Sequence, residues 1–256
     1  IDVRPDSRTF HQVVNTIDLP EGVYFMDGLA INADGKRLFV GVREGQVSRG
    51  SIIVINIDPA DKPRDPSADL EDESENPRYW HRVIKSISTG YLFPGKITPT
   101  TPADKLAFVY RNRDFAFGTL KITNNTPHPD TFSALIQDVN TRLRHRDPDF
   151  ERYSYSIRQP WAIAVMPDLS YAFVCDINLE DIAREFRDPG ANVGIVRDPF
   201  GLHGEPWLVA ATSPIDGGIA DDLALSPDGS RLFVNYLAVG EILVMDVQQM
   251  IEAVEN

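Results

Sequence analysis

Short apolar runs separated by turn residues recur along the chain. Leu29–Ile31 is one such run, and Leu38–Val40 follows it after the sequence Ala-Asp-Gly-Lys. A three-residue apolar run is typical of a strand buried on both faces, whereas Asp and Gly favour a tight turn because Gly adopts a positive φ without steric conflict. The pattern predicts a β-hairpin over Asp27–Val40.

This hairpin pattern is repeated. Asp221–Val234 keeps most of its letters, and weaker copies occupy Lys96–Val109 and Trp161–Val174. Aligned on their final valines, the copies start at residues 27, 96, 161 and 221, with spacings of 69, 65 and 60 residues. Propeller blades repeat at about 40–50 residues, so each repeat is expected to contain an insertion.

Further strands follow each copy. Third strands are predicted at Ser51–Ile57, Gly118–Thr123, Val193–Val196 and Glu241–Val247, and more polar fourth strands at Tyr79–Ser88, Tyr153–Ile157 and Trp207–Thr212. Four strands per repeat form the unit of a β-propeller. We therefore predict an all-β fold, a β-propeller of four-stranded blades with about four repeats, which either closes by itself or is part of a larger ring.

The N-terminal segment His11–Leu19 is predicted to be an outer strand without a blade before it. Two interpretations remain open. The strand closes a four-bladed ring, or it belongs to a preceding blade. The chain begins with Ile and contains no signal peptide, so we expect a fragment or a processed form, read as a single propeller domain or propeller segment over residues 1–256.

The repeat Asn/Ser-Ala/Pro-Asp-Gly-x-Arg-Leu-Phe-Val resembles the YVTN-type propeller repeat and the related lactonase-like and NHL-type propellers. The first and last copies carry the resemblance, the second lacks the Asp-Gly pair, and the third has Leu169 in place of Gly. The resemblance implies a fold. It does not imply a chemistry, because proteins at the bacterial surface, in the periplasm and in the cytoplasm use the same repeat.

Three insertions separate the predicted strands, at residues 58–78, 124–152 and 178–192. The first is acidic and rich in proline, which predicts an extended surface loop, with a calcium site as the alternative. In the second, apolar residues at helical spacing predict an amphipathic helix over Thr131–Arg146. The third contains a shorter predicted helix at Leu179–Phe186, and the chain ends in another helix from Gln248 to Glu255.

Composition excludes several functions. The net charge is −13, which disfavours a nucleic acid or an anionic membrane as the partner. No apolar run is long enough for a membrane-spanning helix. The single cysteine, Cys175, is expected to be a small buried apolar residue. We find no P-loop, nucleophile elbow, dinucleotide fingerprint or paired metal-ligand motif, and of the five histidines only His203 lies in a loop of interest.

One candidate site follows from the predicted fold. Residues at the start of the innermost strands face the mouth of a propeller's central channel, and these are Asp27, Lys96, Trp161 and Asp221, with Asp222 beside the last. The carboxylates of Asp27, Asp221 and Asp222 could bind Ca²⁺ or Mg²⁺. A structural cluster of opposite charges is the alternative, because Lys96 repels a cation.

Asp27-Gly28-Leu29-Ala30 resembles the stretch that carries a metal-ligating Asp in gluconolactonase-type propellers, and only this tetrad matches. Two functions therefore stand side by side. The first, which we favour, is a non-enzymatic binding scaffold, without a cofactor, in a larger secreted or surface protein; it is extracellular or periplasmic and engages a protein or glycan partner through its rim loops. The second is a metal-dependent lactonase-like hydrolase with a divalent cation at the channel mouth.

Overall fold

The computed structural model describes residues 6–8, 12–13, 15–45, 49–62, 79–141, 157–176, 193–212, 220–236 and 240–255. These residues form four antiparallel sheets in which each strand pairs with the next along the chain. Sheet 1 contains β1 (Val23–Ile31), β2 (Arg37–Glu44), β3 (Arg49–Asn56) and β4 (Val83–Gly90). Sheet 2 contains β5 (Pro94–Pro99), β6 (Lys105–Tyr110), β7 (Ala116–Asn124) and β8 (Ser133–Asn140).

Sheet 3 contains β9 (Pro160–Val165), β10 (Tyr171–Asp176), β11 (Val193–Arg197) and β12 (Trp207–Ala211). Sheet 4 contains β13 (Ala220–Leu225), β14 (Arg231–Tyr236) and β15 (Glu241–Asp246), and helix α1 (Val247–Glu255) follows directly. The predicted all-β propeller architecture, its inner hairpins and the C-terminal helix are confirmed. None of the helices among the described residues has the length and apolar character needed to cross a membrane.

The turns of the inner hairpins have the chemistry that the sequence indicates. Gly35 and Gly229 have φ angles of +71° and +72°. In the third copy Leu169 takes φ +65°, so a branched residue occupies the position that favours glycine. Its side chain is buried, and this packing offsets a backbone strain of about 1–3 kcal/mol.

Adjacent sheets pack face to face through three apolar clusters. Sheets 1 and 2 share a cluster that includes Phe39, Val54 and Phe108, sheets 2 and 3 share one around Val109 and Ile163, and a third joins sheets 3 and 4. Every buried CH₂ group in such an interface contributes about 0.8 kcal/mol, so these clusters hold the sheets together.

Glycine is required where sheets 1 and 2 approach most closely. A Cβ atom on Gly28 would lie 1.9 Å from the carbonyl oxygen of Gly95, and one on Gly41 would lie 2.7 Å from that of Pro94. Gly28 and Gly41 are cross-strand partners on the face of sheet 1 that meets β5. This glycine pair lets the innermost strand of sheet 2 lie directly on sheet 1.

The predicted amphipathic helix over Thr131–Arg146 is wrong. Ser133–Asn140 forms strand β8, which pairs with β7 as the outer strand of sheet 2. Ala134 and Ile136 contact the cluster between sheets 1 and 2, while Leu135 between them is exposed. The fourth strand predicted at Tyr153–Ile157 is therefore not the outer strand of this sheet, and residues 151–156 lie outside the described part.

The N-terminal strand predicted at His11–Leu19 is also not found. Its described residues, 12–13 and 15–19, form no strand. Ile17 and Leu19 instead pack against Val40 and Ile53 on sheet 1. The part of the chain that the structure describes thus provides no fourth strand for sheet 4. The described residues of the N-terminal segment do not close a four-bladed ring.

Only part of the predicted insertions lies in the described residues. The first begins with a 3-10 turn at Pro59–Asp61, and residues 63–78 lie outside the description. The helix predicted at Leu179–Phe186, and with it residues 177–192, is also outside. Cys175 is fully buried in β10, as expected, and burial raises the pKa of its thiol to about 12.

Candidate functional site

The predicted site residues lie together at one end of the sheets, where the inner strands begin. One of them, in sheet 2, differs by one residue from the predicted alignment. Each inner turn is closed by a hydrogen bond to the backbone carbonyl oxygen of the residue five positions later. The donors are the backbone N–H groups of Asn32, Met166 and Ser226 and the hydroxyl of Thr100. Counted back from these turns, the residue of sheet 2 that corresponds to Asp27, Trp161 and Asp221 is Gly95. The alignment that placed Lys96 there is therefore wrong by one residue.

Arg111, which directly follows β6, is the centre of the contacts at this end. Its guanidinium donates hydrogen bonds from Nε to Asp27 and from Nη2 to Asp27 Oδ1, the latter at 3.2 Å. Its Nη1 donates to the carbonyl oxygen of Trp161 at 2.9 Å, and its Cζ lies 3.8 Å from the centre of the Trp161 ring. Arg111 therefore ties sheet 1 to sheet 3 through both charge and a cation–π contact.

The same network reaches sheet 4. Trp161 Nε1 donates a hydrogen bond to Asp221 Oδ1 at 3.1 Å. Lys96 Nζ forms an ion pair with Asp222 and donates to the carbonyl oxygen of Leu223 at 3.1 Å. Burial lowers the pKa of the Lys96 ammonium, while Cys175 and Asp221 oppose this shift. We call Asp27, Arg111, Trp161, Asp221, Lys96 and Asp222 the mouth network, and it connects all four sheets.

The mouth network does not fit a metal ion. The carboxylates of Asp27 and Asp222 are each paired with a cation of the chain itself, and that of Asp221 accepts an indole N–H. Within the described ranges, no group of three or more His, Cys, Asp or Glu side chains is placed to hold a metal. Each carboxylate that Ca²⁺ or Mg²⁺ would need thus has at least one oxygen engaged by an internal partner.

Arg111 was not among the residues predicted from the sequence, although the repeat carries a signal for it. In the corrected register Arg111 corresponds to Arg43 in sheet 1, so two blades carry Arg at the same position. Arg43 stacks on Phe93 at 4.8 Å. Arg43, Arg111 and Asp27 line a small cavity of about 130 Å³ at the mouth.

A second candidate site lies at the opposite end of sheet 3. The loop at residues 198–206 joins β11 to β12, and Asp198 shapes it. Asp198 has φ +47°, and its carboxylate accepts the backbone N–H groups of Leu202 at 2.7 Å and His203 at 2.6 Å. Its own N–H donates to the carbonyl oxygen of Ser170 in the β9–β10 turn at 2.8 Å. The loop is therefore held in one conformation, with the side chain of His203 exposed.

This loop forms one wall of a cleft of about 570 Å³, which we call the rim cleft; it is lined by Ser170, Tyr171, Arg197, Asp198, His203, Gly204, Glu205, Trp207 and Glu255. Helix α1 contributes Glu255 to the lining. Glu255 accepts hydrogen bonds from the Tyr171 hydroxyl at 2.6 Å and from Arg197 at 2.8 Å. These two bonds lower the pKa of the Glu255 carboxyl.

Comparisons with known proteins support the fold and not an activity. No protein-family model and no curated protein matches the chain. The β-propeller domain of Cps50 (Swd1) from Myceliophteria thermophila is similar, with 13% identity and a TM-score of 0.55 over 87% of this chain and 51% of that one. A protein of unknown function from Desulfotomaculum acetoxidans has 16% identity and a TM-score of 0.54 over 94% and 58%.

A third similar structure is a 6-phosphogluconolactonase-like protein from Bacteroides fragilis, with 13% identity and a TM-score of 0.51 over 88% of this chain and 51% of that one. The chain thus spans about half the length of the solved structures that it matches. At these identities the similarity shows the β-propeller fold alone, because one fold hosts many functions.

Proposed function

We propose that this chain is a non-enzymatic binding propeller that engages a protein or glycan partner through its rim loops, with the rim cleft as the docking site. The observation that carries the proposal is the contrast between the two sites. The charged groups of the mouth network are paired with one another, which is the role of structural ties. The rim cleft is open, and its loop is already ordered by Asp198.

The chemistry of the rim cleft suits recognition. Trp207 supplies aromatic surface, and aromatic side chains with a polar group are common at binding sites because they bury a large area with few rotatable bonds. His203 and Arg197 add hydrogen-bond donors at the same wall. An ordered loop lowers the entropic cost of binding, since less motion is lost when the partner docks.

The proposal is tested by probing the purified chain against a glycan array and a displayed peptide library. Any ligand found is then measured by calorimetry with His203→Ala and Trp207→Phe. We expect affinity to fall by about 10-fold or more, as for residues at the centre of an interface. Tyr91→Ala, which removes an exposed aromatic side chain away from the cleft, is the matched control and should leave the affinity unchanged.

Ligands that bind the cleft variants as tightly as the original chain would refute the rim cleft as the docking site. Turnover of a lactone that is lost in Asp27→Ala would replace the binding function by the hydrolase. We also propose that the protein acts outside the cell or in the periplasm, which localisation of the tagged natural protein would test.

A further inference from the structure

The two end sheets each present an apolar face on which no further sheet of the described residues packs. In sheet 1, Leu29 and Ile31 lie on the face that points away from sheet 2, because their neighbour Ala30 packs into the cluster between the two sheets. Leu29 is 68% exposed and Ile31 is 50% exposed. We call this the leading face.

Sheet 4 has the corresponding surface on the other side. Leu232 and Val234 pack against sheet 3, so Phe233 between them points away, together with its cross-strand partner Val244. Ile242, which lies on the same face, is 66% exposed, and Val244 is 59% exposed. We call this the trailing face.

The same positions are buried wherever a neighbouring sheet packs on that face. The residues that correspond to Leu29 in the other sheets, Ile97, Ile163 and Leu223, are all buried. The residues that correspond to Phe233 are buried as well; they are Phe39, Ala107 and Phe173. The leading and trailing faces therefore have the composition of the three interfaces that the structure already contains. They differ in that no sheet of the described residues packs on them; Ile17 and Leu19 cover only the part of the leading face around Val40 and Ile53.

In the part of the chain that the structure describes, sheet 4 also lacks the outer strand that the other three sheets have. Sheets 1, 2 and 3 each end in a fourth strand, whereas β15 is the last strand of sheet 4 among the described residues. An edge strand has unpaired backbone N–H and C=O groups that can accept a further strand. Sheet 4 therefore has an exposed apolar face and, among the described residues, an unpaired strand edge at β15.

We propose that the leading and trailing faces are blade interfaces of a larger ring, covered by further blades of the same polypeptide. The four sheets cover 51–58% of the length of the compared structures, so about three further sheets would complete a ring of that size. Such a ring lies within the range of 4–8 blades typical of propellers. A second copy of this chain is a poorer occupant, because a net charge of −13 on each copy opposes their association. The inference is independent of the proposed partner at the rim cleft.

The test uses the 256-residue chain, measured by light scattering after size exclusion and by fluorescence of a hydrophobic dye. We expect strong dye fluorescence and no oligomer of fixed stoichiometry. The double variant Leu29→Lys with Val244→Lys should reduce dye fluorescence at least threefold and should leave the melting temperature within about 3 °C, because exposed sites tolerate substitution.

Two controls accompany this variant. Tyr91→Lys changes an exposed aromatic residue on neither face and should leave both measurements unchanged. Ile163→Lys, at the position of sheet 3 that corresponds to Leu29, should unfold the chain because it buries a charge. A closed dimer that Leu29→Lys dissociates would overturn the proposal in favour of a second copy. A monomer that binds no dye would overturn it by showing that the faces are covered within the chain.

Discussion

At the scale of single residues, Arg111 is the central contact of the mouth network, since it donates hydrogen bonds to both Asp27 and Trp161. The sequence led to the right carboxylates but to the wrong cation partner for Asp27. The second repeat lacks the Asp-Gly pair that fixes the turn in the first, so an alignment on Phe-Val shifted it by one residue. Thr100, which closes the turn with its hydroxyl on the carbonyl oxygen of Lys105, sets the true register. A side-chain hydrogen bond of this kind leaves no pattern in a hydrophobicity profile.

Arg111→Met should destabilise the chain by about 1–3 kcal/mol, because it leaves the partly buried Asp27 carboxylate without its charged donors. The measurement is urea unfolding at pH 7. Arg113→Met is the matched control, since Arg113 pairs with Asp138 at a more exposed site and should cost only about 0–1 kcal/mol.

A double variant completes this experiment. Asp27→Asn removes the charge that Arg111 neutralises, so Asp27→Asn with Arg111→Met should cost less than the sum of the single changes. Equal losses in Arg111→Met and Arg113→Met, together with strict additivity in the double variant, would contradict a structural role for the Arg111–Asp27 pair.

At the scale of elements, the inner hairpins were predictable because apolar runs and Asp-Gly turns are local signals. Strand β8 was not. Leu135, Ile136 and Val139 fit a helical period, and the same residues alternate across β8 with Leu135 outside and Ile136 inside. Short apolar patterns are compatible with both structures. The free edge of β7 decides between them, and that edge is a tertiary feature absent from the local sequence.

Helix α1 was predicted, but its attachment to sheet 3 through Glu255 was not, since Tyr171, Arg197 and Glu255 are far apart in the sequence. The lowered pKa of Glu255 means that its ionised form stabilises the docked helix. This stabilisation is present above the unfolded pKa of about 4.3 and is lost as the pH falls through the lower native pKa.

We therefore expect the amides of residues 247–255 to lose protection from hydrogen exchange below about pH 4, after correction for intrinsic rates. Glu255→Gln should remove this pH dependence and show weaker protection at pH 7 as well. Glu252→Gln, on the same helix, is the control, since Glu252 accepts a hydrogen bond from Gln248 within α1 and should keep the original profile. Identical profiles for the Glu255→Gln variant and the original chain would show that the Tyr171–Arg197–Glu255 contact does not anchor the helix.

At the scale of the whole molecule, the four sheets follow from the repeat, and their order follows from the rule that consecutive strands pair with one another. The exposure of Leu29 and Phe233 does not follow from the repeat. All four copies carry an apolar residue at the position of Leu29, and the structure alone shows in which copies that residue is buried. The sequence also could not distinguish a metal site from a charge cluster at the channel mouth. That distinction depends on where Arg111 and Lys96 point, and the structure places both on the carboxylates.

The most direct test of the central claim, that the mouth network is a structural tie between the sheets, is a crystal structure grown with calcium and magnesium present. We expect Arg111 on Asp27 and over Trp161, Lys96 on Asp222, and no ion between Asp27 and Asp221. An ion with several oxygen ligands at about 2.0–2.6 Å, and with Arg111 displaced from Asp27, would contradict the claim and support metal-dependent chemistry at the channel mouth.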